Sequence, residues 1–481
     1  MPLIKNSVPK QVDRMSYLFH TDEDRREMLK SIGANSIDEI INDQVPEAVR
    51  MKRPLDLPPA CNELALTAEM TRLAARNASA DSHVCFLGGG AYDHFIPAAV
   101  DEIASRGEYY TSYTPYQAEV SQGNLQVMFE YETLVTQLTG LGVSNASLYD
   151  GGSAATEAVL MALSMQRGRN KVITTDVVHP QYRDILVAYL KNIDAELVVV
   201  PSDENGHSKP MIDAIDDKTA CVLIQHPNFV GQLESVSEIA AAAKEAGALT
   251  IQVFDPVSLG RLKRPGDMGV DIAIAEGQSL GNPLAYGGPY LGIMACRDEL
   301  VRRLPGRIAG QTTDRRGKRC WVLTLQTREQ HIRREKATSN ICSNQTLLAL
   351  RATVHLSLLG PEGLKETADH CIAKTAYAKE VIAKSDRFEI VGEGPSLKEF
   401  VVRDLGADVD GLLAHARDNG LLAGIDMTPM CVGGAEATDA SIALPSRYEQ
   451  CFLVAVTEKR SRVEIDRWAK VLCEAPAMAT V

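Results

Sequence analysis

The sequence lacks the features that mark several specialised classes of protein. No apolar run approaches the roughly 20 residues that a membrane-spanning helix needs, and the first residues show no charged-then-apolar signal pattern. The 10 cysteines include no C-x-x-C pair, which excludes a recognisable zinc ribbon or disulfide framework and suits a reducing cytoplasm. With 50 basic against 63 acidic residues, the net charge is −13, which disfavours a nucleic-acid partner. We therefore expect a globular cytoplasmic protein without a membrane or nucleic-acid partner.

The chain does have the length of two or three domains, at 481 residues. Residues 1–80 predict an arm of helical and extended segments, because residues 22–32 have helical spacing and the prolines from 54 to 59 force extended backbone. Residues 81–340 alternate short apolar runs with helix-like segments, which predicts a large α/β domain whose mostly parallel sheet is covered on both faces. Residues 341–481 predict a linking helix, which stops near Gly360, and a small C-terminal α/β domain.

Polar residues follow several of the predicted strands. Asp150, His179, His226 and Asp255 each come shortly after an apolar run. Because chemistry in such sheets gathers at the carboxyl ends of the strands, we expect these four residues to share one edge.

A turn of small residues follows Asp150 and opens a predicted helix. Backbone N–H groups at a helix N-terminus favour an anion, so a phosphate group could bind at Gly152, Ser153 and Ala154. The alternative is that Ser153 only caps the helix.

Asp255 and His179 suit a pyridine ring bound beside that phosphate. A carboxylate in contact with a pyridinium nitrogen is worth roughly 4 kcal/mol at an effective dielectric near 20, and it keeps the ring protonated as an electron sink. His179 lies where an imidazole often stacks on the ring of pyridoxal phosphate (PLP). Each residue alone also has a structural interpretation, Asp255 as a cap and His179 as an ordinary buried histidine. Together with the small-residue turn and the order of the strands, they predict the large domain of a PLP-dependent transferase of fold type I.

The lysine that would hold PLP is missing from this set. After the next apolar run, at residues 272–275, the expected position holds Gln278, whose amide cannot form a Schiff base. The nearest lysine, Lys263, follows Asp255 by 8 residues and precedes that run, on the wrong side of the connection. We therefore expect no catalytic residue on this chain alone, no metal site, and a vestigial cofactor pocket formed by Gly152, Ser153, Ala154, His179 and Asp255.

Five stretches of unusual sequence resemble one protein family. They lie at residues 52–58, 86–94, 113–123, 277–281 and 323–340. Over nearly its whole length the chain resembles subunit 1 (α) of the glycine cleavage system P-protein, glycine dehydrogenase (decarboxylating). The resemblance implies that a homologous subunit 2 (β) carries the lysine and PLP, in an α2β2 assembly. It also implies an oxidoreductase complex that decarboxylates glycine and passes the aminomethyl group to the lipoyl arm of H-protein, with this chain inactive alone.

The resemblance further implies two segments that could enter the partner's pocket. The first is a turn with hydroxyl, amide and carboxylate groups, namely Tyr113, Tyr116, Gln117, Glu119 and Gln122. The second resembles a phosphate-touching loop of cysteine-desulfurase-like relatives and contains Arg333, Thr338, Ser339 and Asn340. The alternative is that both segments merely seal the contact between the subunits.

Three hypotheses stay open at this point. The chain could be a catalytically silent subunit that completes the glycine-decarboxylating enzyme. It could be a structural or regulatory pseudo-enzyme that only stabilises the catalytic subunit. It could also be an ordinary homodimeric PLP enzyme whose lysine is displaced.

Overall fold

The computed structural model describes residues 19–53, 55–112, 117–337, 339–436, 439 and 441–476. Tyr113, Tyr116 and Thr338, which the sequence singles out as partner-facing, lie outside these residues. The chain divides into two compact units, Met1–Arg76 and Asn77–Val481. The domain boundaries at residues 80 and 340 stay predictions. Among the described helices, none is both long and apolar enough to cross a membrane.

The first unit contains three helices among its described residues, α1 (Asp22–Ile32), α2 (Ile37–Gln44) and α3 (Glu63–Ala74). Thr21 and Asp24 form a capping box that begins α1, and Ser36 caps α2. No described residue of this unit is buried, and α3 exposes Leu64 and Met70. The described part of this unit therefore has no hydrophobic core of its own.

The strands of the second unit, in chain order, are β1 (Val84–Cys85), β2 (Val143–Ser144), β3 (Lys171–Thr175), β4 (Glu196–Val200), β5 (Thr219–His226), β6 (Leu249–Phe254), β7 (Ile272–Glu276), β8 (Gly292–Cys296), β9 (Ile308–Thr313), β10 (Arg319–Thr324), β11 (Phe388–Val391), β12 (Glu399–Asp404), β13 (Leu421–Leu422), β14 (Ile425–Asp426) and β15 (Cys451–Ala455). Its helices are α4 (Ala98–Ala104), α5 (Gly107–Tyr110), α6 (Gln122–Thr139), α7 (Gly151–Met165), α8 (Pro180–Leu190), α9 (Val236–Glu245), α10 (Gln330–Arg333), α11 (Thr346–Ile382), α12 (Val409–Asp418) and α13 (Arg462–Glu474).

The central sheet has seven strands in the order β2-β8-β7-β6-β5-β3-β4. The five strands from β7 to β4 run parallel to one another, and β8 is antiparallel to both of its neighbours. The predicted mostly parallel sheet is thus confirmed. Because β3, β5 and β6 are adjacent and parallel, their carboxyl ends bring His179, His226 and Asp255 to one edge. Asp150 lies at the same edge, since the N–H of the next residue, Gly151, donates to Glu276 at the end of β7. The four residues therefore share one edge, as the sequence predicts.

Both faces of the central sheet are covered, because alternate strand residues point to opposite sides. On β5, Cys221 and Leu223 pack against the face covered by α7 and α8, whereas Val222 and Ile224 face α9. The faces of β7 and β8 that carry Ala273 and Ile293 pack against α6 and α11. This burial on both faces explains why the strands are continuous apolar runs in the sequence.

A second, antiparallel sheet lies in the C-terminal part, with strand order β11-β12-β15-β14. Helix α11 leads to it, and Gly360 breaks that helix with a φ of 58° and a ψ of −174°. The predicted helix stop at Gly360 is thus confirmed, although a further helical segment follows at once. The hairpin of β9 and β10 was not predicted; its first strand ends in the polar residues Gln311, Thr312 and Thr313.

Trp468 on α13 is the largest fully buried side chain of this C-terminal part. Its indole N–H donates to the Ala423 carbonyl at 3.0 Å, and its ring lies 5.4 Å from that of Phe86. We expect Trp468→Ala to lower the free energy of unfolding by about 3–5 kcal/mol, since it leaves a cavity and an unpaired carbonyl. Urea denaturation measures the change. The exposed Val463 on the same helix serves as the control, since Val463→Ala should change stability by less than about 0.5 kcal/mol. Equal losses at both positions would contradict this account of the core.

Candidate functional site

Asp255, at the end of β6, already has a cationic partner within the chain. Its Oδ2 lies 2.7 Å from Nζ of Lys398, the residue that precedes β12 of the second sheet. The Lys398 side chain is only 1% exposed. The carboxylate that the sequence assigns to a pyridine nitrogen is therefore neutralised by a buried ammonium group.

The Lys398 ammonium has further contacts that hold it in this position. It lies 3.5 Å from the centre of the Tyr92 ring, a close cation–π contact, and 3.1 Å from His94 Nε2. The next residue, Glu399, accepts hydrogen bonds from the Tyr92 hydroxyl at 2.8 Å and from the Gly89 N–H at 2.7 Å. Burial raises the pKa of Glu399 to about 7.

His179, at the start of α8, is stacked on a ring of its own chain. Its imidazole lies parallel to the Tyr182 ring, with centroids 4.6 Å apart and an angle of 10° between the planes. Its Nε2 donates to the Gly89 carbonyl at 2.8 Å, and its Nδ1 accepts from the Gln181 N–H at 3.2 Å. Both ring nitrogens are used by the neutral imidazole, and burial lowers the pKa of His179 to about 4.

Carboxyl groups of the chain occupy the N-terminus of α7, where a phosphate group is predicted. Asp150 caps the helix by accepting from the Ser153 N–H at 2.7 Å, and Glu276 accepts from the Gly151 N–H at 3.0 Å. Burial outweighs the three N–H bonds that Glu276 accepts and raises its pKa to about 7. The start of the helix is also closely packed, with no room for a side chain at either glycine. A Cβ at Gly152 would come within 2.6 Å of Ile185, and one at Gly151 would overlap the Tyr182 hydroxyl.

Gln278 follows β7 and is 1% exposed. Its Oε1 accepts from the Tyr92 N–H at 2.7 Å, and its Nε2 donates to the carbonyls of Tyr92 at 3.0 Å and Asn282 at 2.7 Å. The amide therefore holds the segment at Tyr92 against the edge of the central sheet and has no free group for a ligand.

The space left between these groups is small. A cavity of about 40 Å³ is bordered by Tyr92, His179, Tyr182, Asp255 and Lys398, among others. Such a volume holds a few water molecules, whereas pockets for small molecules measure roughly 300–1,000 Å³. The residues predicted as a cofactor pocket do lie together, but they do not fit PLP, because side chains of this chain take each of its contacts.

The predicted partner-facing residues divide into two groups. Gln117, Glu119, Arg333 and Asn340 are exposed. Gln122 is used inside the chain, where it bonds both the N–H and the carbonyl of Trp321 at 2.9 Å. Ser339 is partly buried and accepts from the Ile341 N–H at 3.1 Å. Whether any of them enters a partner's pocket stays a prediction.

Asp93 and His94 belong to a charged cluster between the two sheets. Asp93 pairs with Lys459 at 2.6 Å and Arg460 at 2.9 Å. The ligand atoms of His94, Cys371 and Glu458 lie within 4.8 Å of one another, a spacing that could hold a metal ion. The Lys398 ammonium at His94, and the Lys374 ammonium bonded to the Glu458 carbonyl, disfavour a further cation there. The expectation of no metal site stays a prediction.

Three residues that shape the site were missed at the level of sequence. Tyr182 follows His179 by three residues at the start of a helix. Because this spacing places two side chains on one face, the sequence could have predicted their contact. Glu276 is the last residue of β7, two positions before Gln278. For Lys398 the sequence offers no local signal, because it reaches Asp255 from another sheet.

Comparisons with solved structures define the class of protein first. The chain is similar to a sphingosine-1-phosphate lyase of Burkholderia pseudomallei, with a TM-score of 0.62 and 16% identity over 89% of this chain and 93% of that chain. It is also similar to a NifS-like protein, with a TM-score of 0.59 and 16% identity over 82% and 98% of the two chains. The fold is that of the PLP-dependent transferases of fold type I, as predicted.

Closer relatives give the family. The family model described as glycine cleavage system P-protein matches residues 15–469. The probable glycine dehydrogenase (decarboxylating) subunit 1 of Carboxydothermus hydrogenoformans is 48% identical over 95% of this chain and 99% of its own length. That of Desulforamulus reducens is 47% identical over 94% and 98%. A crystal structure of glycine decarboxylase (P-protein) of the glycine cleavage system, in inhibitor-bound form, has a TM-score of 0.86 and 39% identity, and covers 96% of this chain and 100% of that one. The chain belongs to the glycine cleavage system P-protein family.

The neutral state of His179 predicts a pH dependence of stability. The folded-state pKa of about 4 lies below the ordinary 6.5, so the unfolded chain binds this proton first as pH falls. The contribution is fully present above pH 6.5 and is lost between 6.5 and 4, about 3 kcal/mol in all. We expect His179→Gln to be less stable than the wild type at pH 7, with a difference that shrinks towards pH 4. Urea denaturation at several pH values measures it. A difference that stays constant with pH would show that the imidazole is not held neutral.

A lysine placed at residue 278 should not create a cofactor site. We expect purified Gln278→Lys, mixed with PLP and borohydride, to retain no more fixed cofactor than the wild type, because Lys398 and Tyr182 still occupy the ring site. The variant should also melt at a lower temperature, since Tyr92 loses the acceptor of its N–H. Cofactor fixed at residue 278, located by peptide mass spectrometry, would disprove the filled pocket.

Proposed function

We propose that this chain is the subunit of a glycine-decarboxylating P-protein that does not bear the lysine. Its homologous partner, subunit 2, carries PLP in an α2β2 assembly. The complex decarboxylates glycine and passes the aminomethyl group to the lipoyl arm of H-protein. The observation that carries the proposal is the filled edge of the central sheet, with Gln278 bonded to Tyr92 of its own chain, in a chain whose relatives are named as subunit 1 of glycine dehydrogenase.

The first unit supports the need for a second chain. Its helices are capped and well formed, yet none of its described residues is buried. Leu64 is 82% exposed and Met70 is 56% exposed. Because tertiary burial supplies most of the stability of short helices, these apolar side chains are suited to a contact with another subunit.

The chain's share in catalysis would come from groups on loops rather than from its own pocket. Gln117 and Glu119 precede α6, and Arg333 ends α10, so both segments are anchored by helices and leave polar groups exposed. We propose that these groups orient or neutralise the phosphate and substrate in the partner's pocket. When bound in the partner, PLP supplies an electron sink for loss of carbon dioxide.

The alternative function is a structural or regulatory pseudo-enzyme that only stabilises the catalytic subunit. One observation favours it, the use of Gln122 inside the chain to tie α6 to β10. A side chain committed to hydrogen bonds within its own chain is not free to bind a substrate on a neighbouring chain.

The partner requirement is tested by glycine-dependent exchange of carbon dioxide. We expect no exchange by this chain alone, and exchange when it is co-purified with a lysine-bearing homologue and supplied with PLP and lipoylated H-protein. Exchange by the chain alone would disprove the dependence on a partner. An assembled complex without exchange would disprove the glycine-decarboxylating function.

Single substitutions in the assembled complex separate the two functions. We expect Gln117→Ala and Arg333→Ala each to lower turnover at least 10-fold while the complex stays assembled by size-exclusion chromatography, because a lost charged or polar contact in a pocket is worth more than about 1.4 kcal/mol. Arg315→Ala, at an exposed arginine in the turn of the β9–β10 hairpin, is the matched control and should leave turnover unchanged. Unchanged turnover in all three variants would favour the pseudo-enzyme.

A further inference from the structure

The contact between Lys398 and Asp255 joins two separate sheets of the second unit. Asp255 follows β6 of the central sheet, and Lys398 precedes β12 of the antiparallel sheet. The backbone around Lys398 is fixed from the other side, because its carbonyl accepts from the Val456 N–H at 2.8 Å, next to β15. The ammonium therefore projects from a rigid strand end into the edge of the neighbouring sheet.

The surrounding backbone leaves this segment little freedom. A Cβ at Gly231 would overlap the Glu399 carbonyl, and one at Gly88 would overlap the Glu399 carboxylate. The Glu399 carboxylate itself is bonded to the Gly89 N–H and the Tyr92 hydroxyl. Glu399 is thus packed closely against two glycine-containing turns, and the ammonium of the neighbouring Lys398 lies 2.7 Å from Asp255.

The balance of charge makes each member of the pair depend on the other. A buried charge without a partner costs several kcal/mol, and removing one member of a buried pair leaves the other uncompensated. The Tyr92 ring, 3.5 Å from the ammonium, adds attraction without adding charge. Three of the contacts at this edge match the three parts of PLP, with an ammonium at Asp255, a phenol ring on His179, and a carboxyl group at the start of α7.

We propose that Lys398 is an internal cation that takes the position of the cofactor's ring nitrogen at Asp255 and, with Tyr182 and Glu276 filling the rest of the pocket, holds the two sheets together without any ligand. Lys398 is accordingly a positioning residue for the fold of the subunit and not a catalytic one. The cofactor's structural role, as a bridge across this edge, is carried out by side chains of the chain itself.

A double-mutant cycle on the full chain tests the pair. We expect Lys398→Met and Asp255→Asn each to lower the melting temperature by several degrees, and the double variant to lose clearly less than the sum of the two losses. Lys384→Met is the control, since Lys384 is exposed and pairs only with Glu380 one turn away, and it should leave the melting temperature within a degree. Additive losses, or no loss at Lys398, would overturn the proposal.

Chemical rescue provides a second test that addresses the cation itself. In Lys398→Ala, millimolar propylammonium should restore part of the lost melting temperature, because it returns a positive charge to Asp255. Propanol, which has a similar size and no charge, should restore none, and neither compound should raise the melting temperature of the wild type. Equal effects of the amine and the alcohol on the variant would overturn the assignment of an internal cation.

A third measurement uses pyridoxine 5′-phosphate, which resembles the cofactor but cannot form a Schiff base. It should neither bind the wild-type chain in equilibrium dialysis nor raise its melting temperature. Binding by the wild type in competition with PLP would show that the pocket is open and would overturn the proposal. Melting and dialysis are measured on the chain by itself, so an absence of glycine exchange in the assembled complex does not affect these outcomes.

Discussion

The buried ion pair of Asp255 and Lys398 is the constraint on which the rest of the second unit depends. Its two members come from different sheets, and each is shielded from water that would otherwise solvate it. Leaving either charge alone in such a site typically costs about 3–5 kcal/mol, a large part of the net stability of a folded protein. Tyr92 and His94 contact the same ammonium, and Glu399 accepts a hydrogen bond from the Tyr92 hydroxyl. Closure between the sheets thus follows from electrostatics as well as from apolar packing.

Much of the fold was predictable because it follows from patterns of neighbouring residues in the sequence. Continuous apolar runs predicted strands buried on both faces, and Gly360 marked a helix break that the structure contains. The same logic predicted that His179 and Asp255 meet at one edge, because parallel strands end on the same side. These inferences needed only the neighbours of each residue in the chain.

The filling of the pocket could not be predicted in the same way. Lys398 lies far from Asp255 in the sequence, and its neighbours Leu397 and Glu399 give no hint of a contact with another sheet. An isolated lysine before a strand is most often exposed, so its burial is visible only once both sheets are placed. The sequence singled out Gln278 as a position without a lysine. Its hydrogen bonds to Tyr92 were not predictable, because Tyr92 precedes it by more than 180 residues. Long-range pairing of this kind is a property of the folded chain and not of a window of sequence.

The side chains that fill the pocket have a consequence for the evolution of such a chain. Recovering a working cofactor site would require an amine at residue 278, removal of the ammonium at residue 398, and space in place of the phenol at residue 182. By the contacts described above, each of these changes made alone is expected to remove stabilising interactions without opening the whole site. If a partner subunit supplies the chemistry, as proposed above, the filled pocket makes the loss of an independent cofactor site hard to reverse.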